Sequence, residues 1–212
     1  MGRLTATLAH EIKNPLAVIR GSARRLGKLE PEAQHMADSV VEEVDRLNRT
    51  VSRYLQFARG ERSTEGRGDL AAAVTATLDL LEDEFRARST ALERHGIEGP
   101  LVVRLDVESL KQLALNLVLN ALEAQPEGGR VRVTLERRGG AVEMSVRDDG
   151  PGIPAEVKSR LGEPFVTTKA QGTGLGLFLA RRLVEGAEGE LHIASPPGEG
   201  ATVMVRLPLA PG

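Results

Sequence analysis

The chain contains no cysteine and no tryptophan, and aromatic residues make up only 2% of it. Without thiols, disulfide bonds and thiolate metal sites are excluded. So few rings leave little on which nucleic-acid bases could stack. Neither sign of charge is in excess: 28 Lys and Arg stand against 30 Asp and Glu, a formal net charge of −2. That balance gives no electrostatic footprint for a polynucleotide, and no nucleic-acid partner is expected. Long apolar runs are missing as well. Nothing approaches the ~20 residues that cross a bilayer, and no secretory signal pattern is present. The remainder is ordinary for a globular protein, with 41% hydrophobic and 27% charged residues. Its 212 residues suffice for one large domain or two small ones.

Two helices are predicted first. Leu4, Leu8, Ile12, Leu16, Ile19, Ala23 and Leu26 follow helical spacing over residues 3–27. Pro15 should interrupt that helix with a kink. A short break follows, with Pro31 suited to a first helical position. Met36, Val40, Val44, Leu47, Val51, Tyr54 and Ala58 then form a stripe close to a heptad, to about residue 57. Two antiparallel helices cannot bury both stripes alone, so a homodimer through residues 3–58, forming a four-helix bundle, is expected. Residues 60–68 are polar and glycine-rich and read as a linker.

Beyond the linker the pattern changes. Helices are expected over 70–88, 107–124, 154–161 and 175–185. Strands are expected over 91–95, 101–105, 131–137, 142–147, 190–194 and 201–207, with a turn at Gly139-Gly140 and a loop over 162–172. Helices and a mixed sheet in this order imply a two-layer α/β sandwich. The fold class is therefore α + α/β: residues 1–59 as a helical hairpin, 60–68 as linker and 69–212 as the sandwich.

Four stretches bear chemistry: Leu8-Ala-His10-Glu11-Ile-Lys-Asn14-Pro15, Asn116-Leu-Val-Leu-Asn120-Ala121, Asp148-Asp-Gly150-Pro-Gly152-Ile153 and Gly172-Thr173-Gly174-Leu175-Gly176-Leu177. On a wheel of about 100° per residue, His10 lies roughly 180° from the apolar stripe, with Asn14, Ala17 and Gly21 on its face. An inert surface histidine is the bland alternative. Zinc is excluded, because His-Glu-x-x-His would need a histidine where Asn14 stands. Asn116 and Asn120, four residues apart, share a face of an otherwise apolar helix and must find partners there. Those partners are either backbone groups or a bound metal and phosphate, and Mg²⁺ prefers such oxygen ligands. Asp148 ends a strand and precedes two glycines that let backbone turn sharply. The Gly172–Leu177 stretch opens a helix, whose amides suit phosphate oxygens. It lacks the third glycine of a dinucleotide fingerprint and the Gly-Lys-Ser/Thr of a P-loop.

These four stretches, in this order, resemble the sensor histidine kinases of two-component signalling, from about Leu8 to Pro208. The resemblance implies that His10 attacks the γ-phosphate of ATP, with Glu11 as base. Neighbours in sequence do not face each other on a helix, so Glu11 must fold back or act as an orienting charge. It implies a role for Asn14 in positioning water for dephosphorylation of the partner protein. In the nucleotide pocket it implies Asn120 as the Mg²⁺ ligand, Asn116 beside the phosphates, and Asp148 accepting a hydrogen bond from the adenine amine. Gly150, Gly152 and Ile153 belong to the same pocket, as do the glycine-rich residues 172–177, and Thr202 supports the adenine site. Glu163-Pro-Phe165-Val-Thr167-Thr168-Lys169 resembles the lid of one kinase subgroup, with Phe165 packing the lid and Lys169 meeting phosphate. Lys169 as a solvated charge is the alternative.

Related ATPases of the gyrase and chaperone type hydrolyse ATP with a glutamate where this chain has Asn116. Losing such a base typically forfeits 10²–10⁴-fold in rate. The sequence therefore favours transfer to His10 over hydrolysis, leaving an ATPase or a nucleotide-responsive scaffold as alternatives. The resemblance also implies a response-regulator receiver domain docking near Asn14, Ala17 and Gly21. A cytoplasmic location is expected. A helix carrying His10 in its first turns would normally extend upstream, so the chain is expected to be a fragment without its sensor, and membrane attachment of the parent protein stays open.

Overall fold

The computed structural model describes residues 2–58, 66–125, 128–158, 160–169, 172–196 and 198–211; side chains are described except at 2–13, 31, 46, 48–50 and 52–58. The chain divides into two compact units, Met1–Glu61 and Arg62–Gly212.

The first unit is a helical hairpin: α1 (Gly2–Leu29), a 3-10 turn (Pro31–Ala33) and α2 (Gln34–Ala58). Pro15 lies inside α1, which continues on both sides of it as one helix. A proline forfeits a single hydrogen bond, which the intact turns on either side outweigh. The turn closes through Glu30 N–H donating to the Leu26 carbonyl and Ala33 N–H to that of Glu30, each 2.9 Å. The helices meet through Leu16, Ala23, Ala37 and Val44, all buried. Gly27 is the point of closest approach. A Cβ there would lie 2.8 Å from Gln34 Oε1 and 3.0 Å from the Ala37 Cβ. Arg20 Nε sits 3.3 Å from Asp45 across the hairpin. Much of the apolar stripe stays uncovered: Ile19 is 46%, Leu26 50% and Met36 71% exposed.

The second unit comprises β1 (Gly68–Asp69), α3 (Leu70–Leu80), α4 (Glu82–Ala87), β2 (Ala91–His95), β3 (Val102–Val103) and α5 (Val107–Ala124). There follow β4 (Arg130–Arg138), β5 (Ala141–Asp148), α6 (Ala155–Lys158), α7 (Gly176–Gly186), β6 (Glu190–Ala194) and β7 (Ala201–Pro208). Five strands form a mixed sheet in the order β2-β4-β5-β7-β6, parallel only between β2 and β4. Side chains alternate across it. Val131, Val133 and Leu135 of β4, Val142, Met144 and Val146 of β5, and Val205 and Leu207 of β7 are buried against the helices. Their neighbours Arg132, Thr134, Glu143, Ser145 and Arg206 lie on the opposite face and are at least partly exposed. The result is the expected two-layer sandwich. Helix α5 is its centre, with Leu110, Leu113 and Leu117 buried. Each such leucine contributes roughly 1.5–3 kcal/mol by leaving water.

Three element boundaries differ from expectation. The helix expected over 70–88 breaks at Leu81, where the backbone sits at φ −93°, ψ −1°. Glu82, Asp83 and Glu84 then occupy the first turn of a fresh helix, where negative charge is favoured. The helix expected over 154–161 shortens to α6, because the bonds Val157 to Pro154 and Arg160 to Val157 are three-residue turns rather than helical ones. Gly68, read as linker, is instead strand, paired with Val103 in a small two-stranded sheet. A Cβ on it would come within 2.7 Å of Leu110 Cδ1.

The hairpin's packing yields a paired prediction. Gly27→Val should lower the midpoint of the hairpin's thermal unfolding, followed by circular dichroism, since overpacking costs about 1–3 kcal/mol. Gly21→Ala should raise it by about 0.5–1 kcal/mol, because nothing lies within 4 Å of a Cβ there and Ala is the better helix former.

Candidate functional site

Helix α5 is started by Asp106, whose Oδ1 accepts from the Glu108 and Ser109 amides at 3.0 Å each. The buried leucines fix its rotation, which places both asparagines on a flank of the core. Asn116 is buried, and its Oδ1 accepts from Gln112 Nε2 at 3.0 Å. Its Nδ2 is buried with no hydrogen-bond partner among the described residues. A buried amide N–H of this kind is costly unless something fills the space beside it. Asn120 is half-buried one turn on, against the start of α7: a Cβ on Gly176 would lie 3.3 Å from its Oδ1. At the start of α7, Leu175 holds the cap position and its side chain makes no capping hydrogen bond. Unsatisfied amides at a helix start are suited to anionic oxygens.

Asp148 ends β5 and is only 6% exposed. Its Oδ1 accepts from the Gly150 amide at 2.9 Å and the Ala201 amide at 3.2 Å. No described residue donates to Oδ2. Burial pushes the carboxyl up from its ordinary range, against the two amide bonds and the Lys169 charge, which pull it down. Only glycine fits at 150, where a Cβ would meet the Ala124 carbonyl at 2.7 Å and Asp148 Oδ1 at 2.8 Å. Ile153, closing the turn, is half-buried and donates its amide to Ser195 Oγ at 2.8 Å. Gly152 stands at φ +78°, with a would-be Cβ 2.9 Å from the Pro196 carbonyl.

Thr202 is not brought to this group. Strand β7 pairs Ala201 with Asp148 and Thr202 with Arg147. The pleat therefore puts Thr202 on the sheet face opposite Asp148. The backbone amide of Ala201, and not the Thr202 hydroxyl, meets the carboxylate.

Between α6 and α7, Lys169 reaches α5. Lys169 Nζ donates to the Asn120 carbonyl at 2.9 Å and pairs with Glu123 at 3.1 Å, so it is partnered while staying partly exposed. Thr167 Oγ1 accepts from the Lys169 amide at 3.1 Å, and Thr168 is exposed. Gly172 packs on Thr167, and Thr173 Oγ1 accepts from the Leu175 amide at 3.5 Å. Leu175 is buried, while Gly176 and Leu177 begin the helix half-buried. Phe165 departs from expectation: its side chain is 59% exposed and its backbone is left-handed at φ +67°. Its backbone is what packs, since a Cβ on Gly174 would lie 2.5 Å from the Phe165 carbonyl carbon. Arg181 of α7 anchors the other end of the segment by donating from Nη2 to the Leu161 carbonyl at 3.1 Å.

In the hairpin, Asn14, Ala17 and Gly21 are all exposed on α1. The backbone of His10 and Glu11 belongs to α1, but their side chains lie outside the described residues. Four contributors escaped the sequence reading: Gln112, Glu123, Ser195 and Ala201. Only Ser195 left a legible trace, a small polar residue before Pro196 at the end of β6. Among the described residues, no group of three or more His, Asp or Glu is placed to hold a metal.

A helical hairpin followed by an α/β sandwich with paired asparagines, a buried strand-end aspartate and an open helix start defines an ATP-binding protein of the kinase type. The chain belongs to the sensor histidine kinase family. Residues 105–211 match the family described as Histidine kinase-, DNA gyrase B-, and HSP90-like ATPase, and residues 1–63 match the His Kinase A (phospho-acceptor) domain. The chain is 35% identical to the sensor histidine kinase ZraS of Escherichia coli (strain K12), across 99% of this chain and 46% of that protein. It is 32% identical to sporulation kinase A of Bacillus subtilis (strain 168), across 98% of this chain and 34% of the relative. It thus spans less than half the length of these relatives. Among solved structures, full-length ShkA in complex with AMPPNP aligns over the whole chain and 47% of its own, with TM-score 0.79 and 28% identity. The histidine kinase ThkA in complex with the response regulator TrrA aligns over 99% of this chain and 62% of its own, with TM-score 0.68 and 28% identity.

Because burial raises the Asp148 carboxyl, its ionised form costs stability in the ligand-free protein. That cost is absent below the unfolded-state value of about 4 and grows as pH rises through the higher folded value. Asp148→Asn should therefore gain in melting midpoint relative to the parent chain as pH is raised from below 4 to neutral. A gap that narrows over this range in differential scanning calorimetry would contradict the burial argument.

Proposed function

We propose that this chain is the catalytic core of a protein-histidine kinase that transfers the γ-phosphoryl group of ATP to His10. The phosphoryl group then passes to an aspartate of a response-regulator receiver domain. The observation that carries this reading is the unfilled hydrogen-bonding capacity of three groups in the second unit. It comprises the open Oδ2 of Asp148, the unpartnered Nδ2 of Asn116 and the uncapped start of α7. A base amine, phosphate oxygens and a metal-bound triphosphate satisfy these three in turn. The AMPPNP held by ShkA and the regulator held by ThkA support the same assignment.

Residues 1–59 form the dimerisation and phosphotransfer unit, and the ATP-binding unit takes in Gly68 with residues 69–212. The uncovered Ile19, Leu26, Met36 and Val40 fit a second copy of the hairpin, completing a four-helix bundle. Asp148 reads the adenine amine within the Gly150, Gly152 and Ile153 turn. Asn116 donates toward phosphate, and Asn120 supplies an oxygen ligand for Mg²⁺, as its half-exposed amide beside α7 allows. When bound, the ion neutralises phosphate charge. Lys169 exchanges Glu123 for phosphate as the lid closes, and Thr167, Thr168 and residues 172–177 shape that lid. Phe165 caps it from its exposed position.

Neutral imidazole has a lone pair near pH 7. One ring nitrogen of His10 attacks the γ-phosphorus, the bond to the β–γ bridging oxygen breaks, and ADP leaves. The proton on the other ring nitrogen passes to Glu11. In the second step the regulator carboxylate attacks that phosphorus and the N–P bond breaks. The exposed Asn14, Ala17 and Gly21 face receives the regulator. Asn14 orients water for the opposing activity, in which water attacks the regulator's aspartyl phosphate, the bond from phosphorus to the carboxylate oxygen breaks and inorganic phosphate leaves. A cytoplasmic location follows for this core; no described helix is long and apolar enough to cross a membrane.

Incubation with γ-labelled ATP and Mg²⁺ should give an acid-labile, base-stable phosphoprotein that His10→Ala abolishes. Free phosphate without labelled protein would point to an ATPase, and nucleotide binding with neither product to a scaffold. Asn14→Ala should impair regulator dephosphorylation by more than tenfold while leaving autophosphorylation within about threefold, on the scale of a positioned acid–base group. Equal losses in the two assays would remove its special role.

A further inference from the structure

Ser195 is 2% exposed and sits just beyond β6, distant in sequence from the Asp148 turn. Its hydroxyl is fully used. It accepts from the Ile153 amide at 2.8 Å and donates to the Gly200 carbonyl at 2.8 Å. The Gly200 carbonyl and the Ala201 N–H belong to one planar peptide unit. That same Ala201 N–H donates to Asp148 Oδ1 at 3.2 Å. A continuous chain of hydrogen bonds therefore runs from the Ile153 amide through the Ser195 hydroxyl and the Gly200–Ala201 peptide to the carboxylate. The peptide cannot rotate to suit Asp148 without breaking its bond to Ser195.

Further contacts hold the same peptide in place. Gly200 stands at φ +77°, and a Cβ there would collide with the Asp148 carbonyl oxygen, so backbone meets backbone at this point. A Cβ on Gly152 would lie 3.2 Å from Ser195 Oγ, so the far end of the turn closes on the same hydroxyl. The Gly198 amide also donates to the Pro151 carbonyl at 3.3 Å, holding Gly198 against the turn. Bonds that share donors and acceptors in a low-dielectric site polarise and stiffen one another.

We propose that Ser195 is a positioning residue that fixes the Asp148 carboxylate with Oδ1 engaged and Oδ2 presented to the base, thereby setting selectivity for a purine bearing a 6-amino group. This rests on the nucleotide reading above. Ser195 touches no reacting atom, so its removal acts on binding and base choice, not on transfer.

The test compares ATP with inosine triphosphate, which keeps the purine frame, ribose and phosphates but carries oxygen in place of the amine. Ser195→Ala in the full 212-residue chain should weaken ATP binding about tenfold, the scale of one lost buried hydrogen bond, with inosine triphosphate nearly unaffected. KM for ATP should rise while kcat at saturation stays unchanged. Ser195→Thr, which keeps the hydroxyl, should restore the preference. Ser195→Cys, with its weak S–H donor, carries the same comparison should the alanine variant not be recovered folded. A general loss of packing would weaken both nucleotides together, and that result, or an unchanged ATP preference, overturns the proposal. Asp148→Asn separates the two levels. If it too keeps full ATP affinity, the base-reading assignment of Asp148 fails, and the role of Ser195 falls with it. If Asp148→Asn loses ATP while Ser195→Ala does not, only the Ser195 proposal is refuted.

Discussion

A carboxylate buried at the end of a β-strand is the constraint around which the ATP-binding unit is arranged. Asp148 is tolerated there because two backbone amides hold one oxygen, and those amides come from opposite directions. Gly150 is its own turn; Ala201 opens the neighbouring strand. For both to arrive, β5 and β7 must be adjacent and in exact register, and residues 150 and 200 must have no side chain. The cost of burial is visible in the raised carboxyl. A buried carboxyl shifted in this way marks a candidate functional site, and its open Oδ2 is the atom that the proposed reading of the base uses.

The same logic links α5 to α7. Apolar packing of α5 against the sheet sets its rotation, and the rotation decides that Asn116 is buried while Asn120 meets the start of α7. Lys169 ties the intervening segment back to this helix through the Asn120 carbonyl and Glu123. That ion pair is half-exposed, and pairs of this kind are worth about 0–1 kcal/mol. An interaction of that size could be exchanged for phosphate charge, as the proposed lid requires.

Most of the fold was legible because it is written in local periods. The apolar stripe of α5, the alternation of β4 and β5, and the Gly139-Gly140 turn all lie within short windows. The errors fall where nonlocal packing competes with pattern. Leu81 interrupts a helix that spacing alone would continue. Gly68 resembles linker but is needed at a point where Leu110 leaves no room. Phe165 is apolar, yet it stands largely exposed with a left-handed backbone that Gly174 closely approaches. The hairpin shows the limit from the other side: its stripe predicted more burial than one chain provides, which is the signature of a face meant for a partner.

The sequence by itself determined the order of elements and the identity of the chemical groups: His10, the paired asparagines, Asp148 and the glycines that follow it. These depend on residue type and on spacing along a single helix, strand or turn. Only the tertiary structure decided which groups meet. Pairing register between β5 and β7 is set by contacts more than fifty residues apart, and a shift of one residue reverses the face of every side chain. That is why Thr202 was named where the Ala201 amide stands, and why the bonds of Ser195 to Ile153 and Gly200 could not be read from the sequence.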